Sequence, residues 1–429
     1  MAGGRDEDMT ERQEKILRPL LYTSREFYPF IAALALITLA AGYAYILQLS
    51  KGLGVTGLND ITIWGIYIVN FIFFIGLSHA GIAISAAVRI MKLERYAPIA
   101  RMAEVLTLAS LIMAGLSIVI DLGRPDRAYL MVLNFASRIG SSPLLWDITA
   151  VGTYLILSTT YLYLPMREDL KVCKERFTGW KKTMYTVTLP GYEEGEEAVI
   201  NRLSWWMAVT ILPVMVMVHT TVSWIFSLLS NRPLWFGAAA GPYFIAAAIA
   251  SGIASVIVIA AVVRRLFHWE DLLPPDIFRG LSNFLSVITL IYLYLMLVEQ
   301  FTARYAGPAG EFFVSEAWLF GPYALMFWTL TTIGLAVPCV YLLVQAFRPN
   351  KMNINVTALV SLVIVIAMWF KRYIIIVPTL TVGGTPLEGY TPSWVELTIL
   401  AGSFSALALV YTLLIKLIPI IEMGEHHIE

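Results

Sequence analysis

Long apolar runs separated by short polar segments make up most of this chain. Ten runs of about 18 or more residues have the length of transmembrane helices. Because the connections between them are mostly short, the pattern predicts one all-α integral membrane domain. The ten predicted spans are Phe27–Leu49, Ile61–Val88, Met102–Ile120, Pro143–Leu164, Leu203–Leu229, Pro242–Val263, Gly280–Val298, Ala317–Ala346, Ile354–Val377 and Trp394–Ile418.

This membrane domain is predicted over residues 27–418, between an N-terminal tail of residues 1–26 and a C-terminal tail of residues 419–429. The N-terminal segment lacks the apolar core and cleavage site of a signal peptide, so we expect it to be retained. Similar strings end helices two and six, Gly81–Arg89 and Gly252–Arg264. If they mark an internal repeat, helices two to five and six to nine form two four-helix bundles, flanked by helices one and ten.

Basic residues are distributed unevenly between the two sides of the predicted helices. One side carries 22 Lys and Arg and the other six, with Lys371 and Arg372 inside helix nine. Basic loops remain on the cytoplasmic side of a membrane. The charge bias and the even helix count therefore both predict cytoplasmic termini.

Composition excludes several classes of function. The 429 residues are 58% hydrophobic and 14% charged, with a mean hydropathy of +0.73 and no net charge, which argues against nucleic-acid binding. Two cysteines, Cys173 and Cys339, are too few for the four thiolates of an iron–sulfur cluster. No CxxC, CxxCH or P-loop string occurs. We therefore expect no cluster, c-type haem or metal site in this chain.

Two histidines interrupt apolar helices, where each polar group needs a partner. His79 lies in helix two, roughly 27 Å from its predicted outer end, and His219 lies nearer the middle of helix five. Each is explained as a neutral, hydrogen-bonded core residue or as a functional group. A haem held by both is disfavoured, because the estimated depths differ by about 10 Å.

Four further polar positions are candidates for function. Helix three has Glu104 near its inner face and Asp121 at its outer end, followed by Arg124, and Glu299 lies near the outer end of helix seven. These residues either stop helices at the interface or bind a polar headgroup.

Lys371 and Arg372 are the most unusual residues in the predicted spans. They lie about 25 Å from the inner end of helix nine. Their side chains either reach the outer surface along the helix or form buried pairs with Asp121 or Glu299.

Five strings together resemble the NrfD/PsrC-like family of quinone-interacting membrane subunits. That family includes the polysulfide reductase membrane subunit, DsrP of sulfur metabolism, and the ActC and ActF subunits of alternative complex III. The strings are Gly76–Gly81, Glu94–Glu104, Leu122–Pro125, Val218–Trp224 and Lys371–Val377.

The resemblance implies a subunit of the prokaryotic cytoplasmic membrane that binds menaquinone near the outer face and is not catalytic alone. A four-cluster ferredoxin-like iron–sulfur subunit would dock on that face, with further cytochrome, molybdopterin-type or heterodisulfide-reductase-like subunits. Asp121 would accept a proton from the quinol, with His79 as the second catalytic candidate, and Arg124 would hold the charge of Asp121. The implied quinone-binding residues are Asn70, His79, Asp121 and Arg124, with Glu299 and Arg372 as further candidates, and the implied proton-transfer residues are Glu104 and His219.

Two other classes of function remain open from the sequence. An ion-coupled secondary transporter would explain the repeat and the buried Glu104 and His219. However, helices two to nine show no paired broken segments in inverted halves. A passive anchor for a peripheral oxidoreductase would not need buried charge. Copurification of a cluster-rich protein distinguishes a quinone-site subunit from a transporter.

Overall fold

The computed structural model describes residues 2–193, 195–237, 239–348, 352–382 and 389–423, with side chains from residue 11 onward. All regular structure within these ranges is helical, which confirms the predicted all-α fold. Lys351, which contributes to the basic count, and residues 424–429 of the predicted C-terminal tail lie outside the described residues.

The long helices follow the apolar runs, and short helices occupy several connections. A π-helical segment, Leu330–Ala336, joins α13 and α14 into one continuous helix. The helices are α1 Ala2–Leu21, α2 Phe27–Lys51, α3 Ile66–Ile90, α4 Ala97–Asp121, α5 Tyr129–Leu133, α6 Phe135–Arg138, α7 Pro143–Arg176, α8 Gly179–Thr188, α9 Glu197–Ser227, α10 Ala240–Phe267, α11 Pro275–Tyr305, α12 Ala309–Leu319, α13 Ala324–Thr329, α14 Val337–Phe347, α15 Ile354–Thr381 and α16 Trp394–Leu417.

Nine helices in the described part of the chain are long and apolar enough to cross a membrane. They confirm nine of the ten predicted spans. The remaining span, Pro143–Leu164, forms the first part of α7, which continues into a charged segment and ends at Arg176. Because α7 packs between α4 and α9, it completes a bundle with the other helices.

Two groups of four helices form the body of the molecule, as the repeat predicted. The first bundle consists of α3, α4, α7 and α9, and the second of α10, α11, the α13–α14 helix and α15. The two bundles meet mainly along α3 and α10. Helices α2 and α16 pack against each other beside α4 and are the predicted flanking pair.

Two glycines at matching positions of the repeat allow helices to approach closely. A Cβ atom at Gly81 on α3 would overlap the backbone of Ala103 on α4. A Cβ atom at Gly252 on α10 would overlap the side chain of Ala80 on α3. Glycine is therefore required where α3 packs against α4 and where the bundles meet.

Two predicted helix boundaries are wrong. Helix two was expected from Ile61, but α3 begins at Ile66, after Gly65. The preceding apolar residues instead cover the outer end of the first bundle, where the Trp64 ring stacks on that of Trp235. Helix eight was expected from Ala317, but the chain turns between Leu319 and Ala324 before α13 begins. Apolar residues that cover a helix end are indistinguishable by hydropathy from residues inside the helix.

The end of the first bundle that carries Arg89 and Arg101 is called the inner end, after the predicted orientation, and the opposite end the outer end. Helix α1, within the predicted N-terminal tail, packs at the inner end, where Ile16 and Leu17 are buried. Lys416 at the end of α16 donates to the carbonyl oxygen of Pro19 at 2.7 Å. These contacts hold α1 against the membrane domain.

Candidate functional site

His79 and His219 meet inside the first bundle. They come from α3 and α9, are 2% and 1% exposed, and their ring centroids lie 4.5 Å apart in an edge-to-face arrangement. The predicted depth difference of about 10 Å is therefore wrong. That depth was counted from Ile61, whereas α3 begins at Ile66, and five residues correspond to about 7.5 Å of helical rise.

Both ring nitrogens of His79 face backbone carbonyl oxygens. Nδ1 lies 2.5 Å from the oxygen of Ile75, and Nε2 lies 2.9 Å from the oxygen of Met215. A neutral imidazole has one N–H group and a protonated imidazole has two. Since a carbonyl oxygen only accepts, each ring nitrogen of His79 has an acceptor within hydrogen-bond distance.

The histidine pair does not fit bis-histidine ligation of a haem iron. His219 Nε2 lies 2.9 Å from the carbonyl oxygen of Phe244, and His79 Nε2 bonds to Met215. Haem iron needs one free nitrogen from each ring, one on each side of the porphyrin plane. Both nitrogens of His79 already face carbonyl oxygens, so this ring has none free. Here the rings touch edge to face, which leaves no space for a porphyrin between them.

Glu104 is buried toward the inner end of the first bundle. It is 2% exposed, and its Oε1 atom accepts a hydrogen bond from the Ser85 hydroxyl. Ser85 also lies 3.2 Å from the hydroxyl of Tyr161 on α7. Among the described residues, Oε2 has no hydrogen-bond partner. This polar group therefore links α3, α4 and α7 and leaves one carboxylate oxygen for a further contact.

A network of ion pairs closes the inner end beside Glu104. Arg101, which is fully buried, pairs with Asp169 on α7 and lies 3.4 Å from Glu422 in the C-terminal segment. Arg89 on α3 lies 3.3 Å from the same Glu422 carboxylate. The backbone N–H of Met423 donates to Asp169. These contacts attach the end of the chain to the first bundle.

Asp121 lies on the side of α4 that faces the flanking helices. Among the described residues, the charged group that interacts electrostatically with Asp121 is the carboxylate of Glu396 on α16. The Oδ1 atom of Asp121 is buried without a hydrogen-bond partner in the described part of the chain. Close by, Tyr67 donates to Gln48 at 2.6 Å, and Gln48 donates to the carbonyl oxygen of Ile120 at 2.9 Å. Asp121 therefore belongs to a polar cluster between α2, α3, α4 and α16.

Arg124 does not make the predicted contact with Asp121. Its guanidinium group instead forms two hydrogen bonds of 2.9 Å with Asp126, and both side chains are mostly exposed. These hydrogen bonds lower the pKa of the Asp126 carboxyl below its usual value. The prediction failed because Asp126 lies only two residues from Arg124, in the same turn. It is therefore a closer partner for the guanidinium group than Asp121 at the end of α4.

Asn70 faces the second bundle. Its side-chain oxygen accepts a hydrogen bond of 2.7 Å from the indole of Trp369 on α15. This oxygen is therefore engaged in a contact between the bundles, separate from Asp121 and Arg124.

Lys371 and Arg372 are both buried, but their surroundings differ. The Lys371 ammonium lies 4.5 Å from the Phe327 ring centroid and has no hydrogen-bond partner among the described residues. The Lys371 ammonium interacts electrostatically with Glu299 on α11, which is one of the two partners predicted for a buried cation. Arg372 donates to the carbonyl oxygen of Met368 at 2.8 Å and to the Ser251 hydroxyl at 3.1 Å. The six predicted quinone-binding residues therefore do not converge on one pocket.

Asp147 is a buried acid that the sequence reasoning missed. It lies in the first turns of α7, is 6% exposed, and its Oδ1 atom has no hydrogen-bond partner within the described ranges. No cation in the described part of the chain pairs with it. Helical spacing gives a signal for its burial, because it shares one buried face with Val151, Tyr154, Ser158 and Tyr161.

An open groove of about 910 Å³ lies on the outer half of the first bundle, between α7 and α9. Most of its wall is apolar, and Met217 and Trp224 are exposed along it. Two residues of its lining adjoin buried polar residues in sequence: Trp146 precedes Asp147, and Val218 precedes His219. The groove therefore runs along the two helices that carry these polar groups.

The described residues contain no group of three His, Cys, Asp or Glu side chains arranged to hold a metal ion. The two cysteines are buried and not joined to each other.

Comparison with known proteins places these features in a family. Over 97% of its length, the chain is 28% identical to a dimethyl sulfoxide reductase membrane subunit of Halobacterium salinarum, covering 95% of that protein. It is 23% identical to a selenate reductase subunit of Mesobacillus selenatarsenatis, over 91% of this chain and 94% of that protein.

A third relative is the Hdr-like menaquinol oxidoreductase integral membrane subunit of Archaeoglobus fulgidus, 24% identical over 93% of this chain and 94% of that protein. The family model of the polysulphide reductase NrfD matches residues 54–383, which include both bundles. The chain therefore belongs to the polysulphide reductase NrfD family of membrane proteins.

Proposed function

We propose that this chain is the quinone-interacting membrane subunit of a multi-subunit oxidoreductase. It exchanges electrons between menaquinol or menaquinone near the outer face and a partner iron–sulfur protein. Its two cysteines cannot supply the four thiolates of a cluster, so the electrons pass to that partner. The names of three relatives support this function, since each is a subunit of a reductase or a menaquinol oxidoreductase.

The groove between α7 and α9 is the observation that carries the proposal. A quinone with a long apolar tail remains in the bilayer and must reach its site from the side. The groove has the size of a small-molecule site, about 300–1,000 Å³, and exposed side chains along its wall face the surroundings of the bundle. With cytoplasmic termini, it opens to the outer leaflet.

Proton acceptors lie on the bundle side of the same helices. Menaquinol oxidation releases two electrons and two protons, so each proton needs an acceptor near the quinone oxygens. Asp147 is a buried acid next in sequence to the groove residue Trp146, and His219 is a buried base next in sequence to the groove residue Val218. His79 contacts His219, and each of its ring nitrogens has a carbonyl oxygen within hydrogen-bond distance.

Glu104 and Asp121 lie farther from the groove and are assigned to proton movement. Glu104 is at the inner end of the bundle, on the route between the cytoplasmic side and the histidine pair. Asp121 is at the outer end, beside Glu396, and faces the flanking helices. Asn70, Arg124, Glu299 and Arg372 lie elsewhere and have no part in quinone binding in this proposal.

A photoreactive naphthoquinone tests both the function and its location. The purified complex is irradiated with this probe, with and without excess menaquinone, and labelled peptides are identified by mass spectrometry. We expect competed labelling within residues 145–153 or 214–228. Competed labelling confined to α2, α16 or the second bundle would retain the function but reject the groove. Labelling that menaquinone does not reduce anywhere would reject quinone binding itself.

A further inference from the structure

A second, much smaller cavity lies where the two bundles meet. Its volume is about 10 Å³, and its lining comes from α3, α9, α10, α11 and α15. Four of the lining residues are polar and buried, namely His219, Tyr243, Tyr292 and Arg372, which are 1%, 5%, 1% and 4% exposed. The cavity therefore brings together side chains from both bundles.

Three of these four side chains have a polar atom without a hydrogen-bond partner in the described part of the chain. The atoms are Nδ1 of His219, the hydroxyl of Tyr243 and Nε of Arg372. A buried polar group without a partner costs about 1–3 kcal/mol, and more if it is charged. Three such atoms on residues that line one cavity indicate a ligand that satisfies them together.

The hydrogen-bonding requirements identify the kind of ligand. His219 Nε2 lies on the carbonyl oxygen of Phe244, which only accepts, so Nε2 carries the proton of the neutral ring. Nδ1 is then an acceptor and needs a donor. Arg372 Nε is always a donor and needs an acceptor. The ligand must therefore donate and accept at the same time.

The size of the cavity further restricts which ligand can bind there. A volume of roughly 10–15 Å³ is the least that holds one water molecule, and such a water needs two to four polar partners. The cavity matches this limit and offers three partners. An organic ligand does not fit.

We propose that one ordered water molecule occupies this cavity and joins the two bundles. It accepts from Arg372 Nε and donates to His219 Nδ1, while the Tyr243 hydroxyl supplies the third contact. The water extends the polar path of His79 and His219 in the first bundle to Arg372 and Ser251 at the second. It also solvates a buried guanidinium group whose other contacts are Ser251, Met368 and the Phe73 ring. The inference does not depend on quinone binding.

A cryo-EM map of the purified complex, at a resolution that shows ordered solvent, tests the water directly. We expect one isolated density peak within about 2.7–3.2 Å of both His219 Nδ1 and Arg372 Nε. An empty cavity would overturn the inference. So would a His219 ring turned to place Nδ1 against a donor of the protein.

Filling the cavity gives an independent test. Ala247 lines the cavity, whereas the neighbouring buried Ala246 does not. Ala247→Val should displace the water and lower the thermal unfolding temperature more than the volume-matched control Ala246→Val. A dry cavity predicts the opposite, because filling an apolar void improves packing. An Ala247→Val protein that is more stable than the control therefore contradicts the proposal.

Discussion

Buried acids have different partners at the two ends of the first bundle. At the inner end, Asp169 and Glu422 contact Arg101, and Glu422 also contacts Arg89. In the outer half, Asp121 and Asp147 each have a buried carboxylate oxygen without a partner among the described residues. The charge that acts on Asp121 is another acid, Glu396.

This difference separates residues that stabilise the fold from residues that carry function. Ionisable side chains in a membrane interior are costly, and cations at the inner end offset part of that cost. Acids without such cations reduce stability, so their presence needs a chemical reason. Proton acceptance from a quinol is such a reason. Substitutions in the ion-pair network at the inner end should therefore affect folding, and substitutions of the unpaired acids in the outer half should affect turnover.

The largest effect is expected from Arg101→Met. The change leaves Asp169 and Glu422 buried without their shared cation, which costs about 3–5 kcal/mol for a buried pair. We expect a strongly lowered thermal unfolding temperature or loss of the protein from membranes. Arg176→Met is the control, because Arg176 pairs with Glu14 at 3.6 Å on the protein surface. Equal unfolding temperatures for the two variants would contradict the stabilising role of the network.

Asp147→Asn should keep the fold and remove the proton acceptor that we assign to the groove. Loss of a general base lowers rates by about 10²–10⁴-fold, so we expect at least a hundredfold loss of menaquinol-analogue oxidation. Asn has the size of Asp but cannot take the proton. The measurement is turnover by the purified complex in detergent, with assembly checked by size-exclusion chromatography.

Asp121→Asn serves as the comparison for Asp147→Asn. Asp121 faces α2 and α16 instead of the groove, so its removal should reduce turnover less. A larger loss of turnover for Asp121→Asn than for Asp147→Asn would place the quinone site at the outer end of α4, as the family resemblance implied.

Glu104→Gln should separate proton movement from quinone chemistry. Glu104 lies at the inner end, away from the groove, and Gln retains the hydrogen bond from Ser85. We expect unchanged menaquinol-analogue turnover in detergent and reduced proton movement in proteoliposomes, followed with a pH-sensitive dye. Unchanged proton movement would remove Glu104 from the path.

The smallest effect is expected from Arg124→Ala. Arg124 lowers the pKa of Asp126, so the stability this pair contributes is present above the unfolded carboxyl pKa of about 3.9. It is lost as the pH falls through the lowered pKa of the folded protein. Because both side chains are mostly exposed, unfolding temperatures of variant and parent should nearly coincide at neutral pH. A large difference would show that Arg124 has a buried partner.

The helices were predictable because each apolar run is a local property of the sequence. The histidine contact was not, since it depends on where α3 begins and on how α3 packs against α9. Asp147 was missed because it lies near the start of a span, where an acid is commonly interfacial. The groove was also unpredictable, because its walls are side chains that lie more than sixty residues apart in the chain.

Blocking the groove tests the central claim most directly. Ala150 lies in the groove wall, whereas Ala33 is an exposed residue of α2 outside it. We predict that Ala150→Trp abolishes menaquinol-analogue oxidation by the assembled complex, while Ala33→Trp leaves it at the parental rate. Equal, parental rates for both variants would show that quinone does not use the groove.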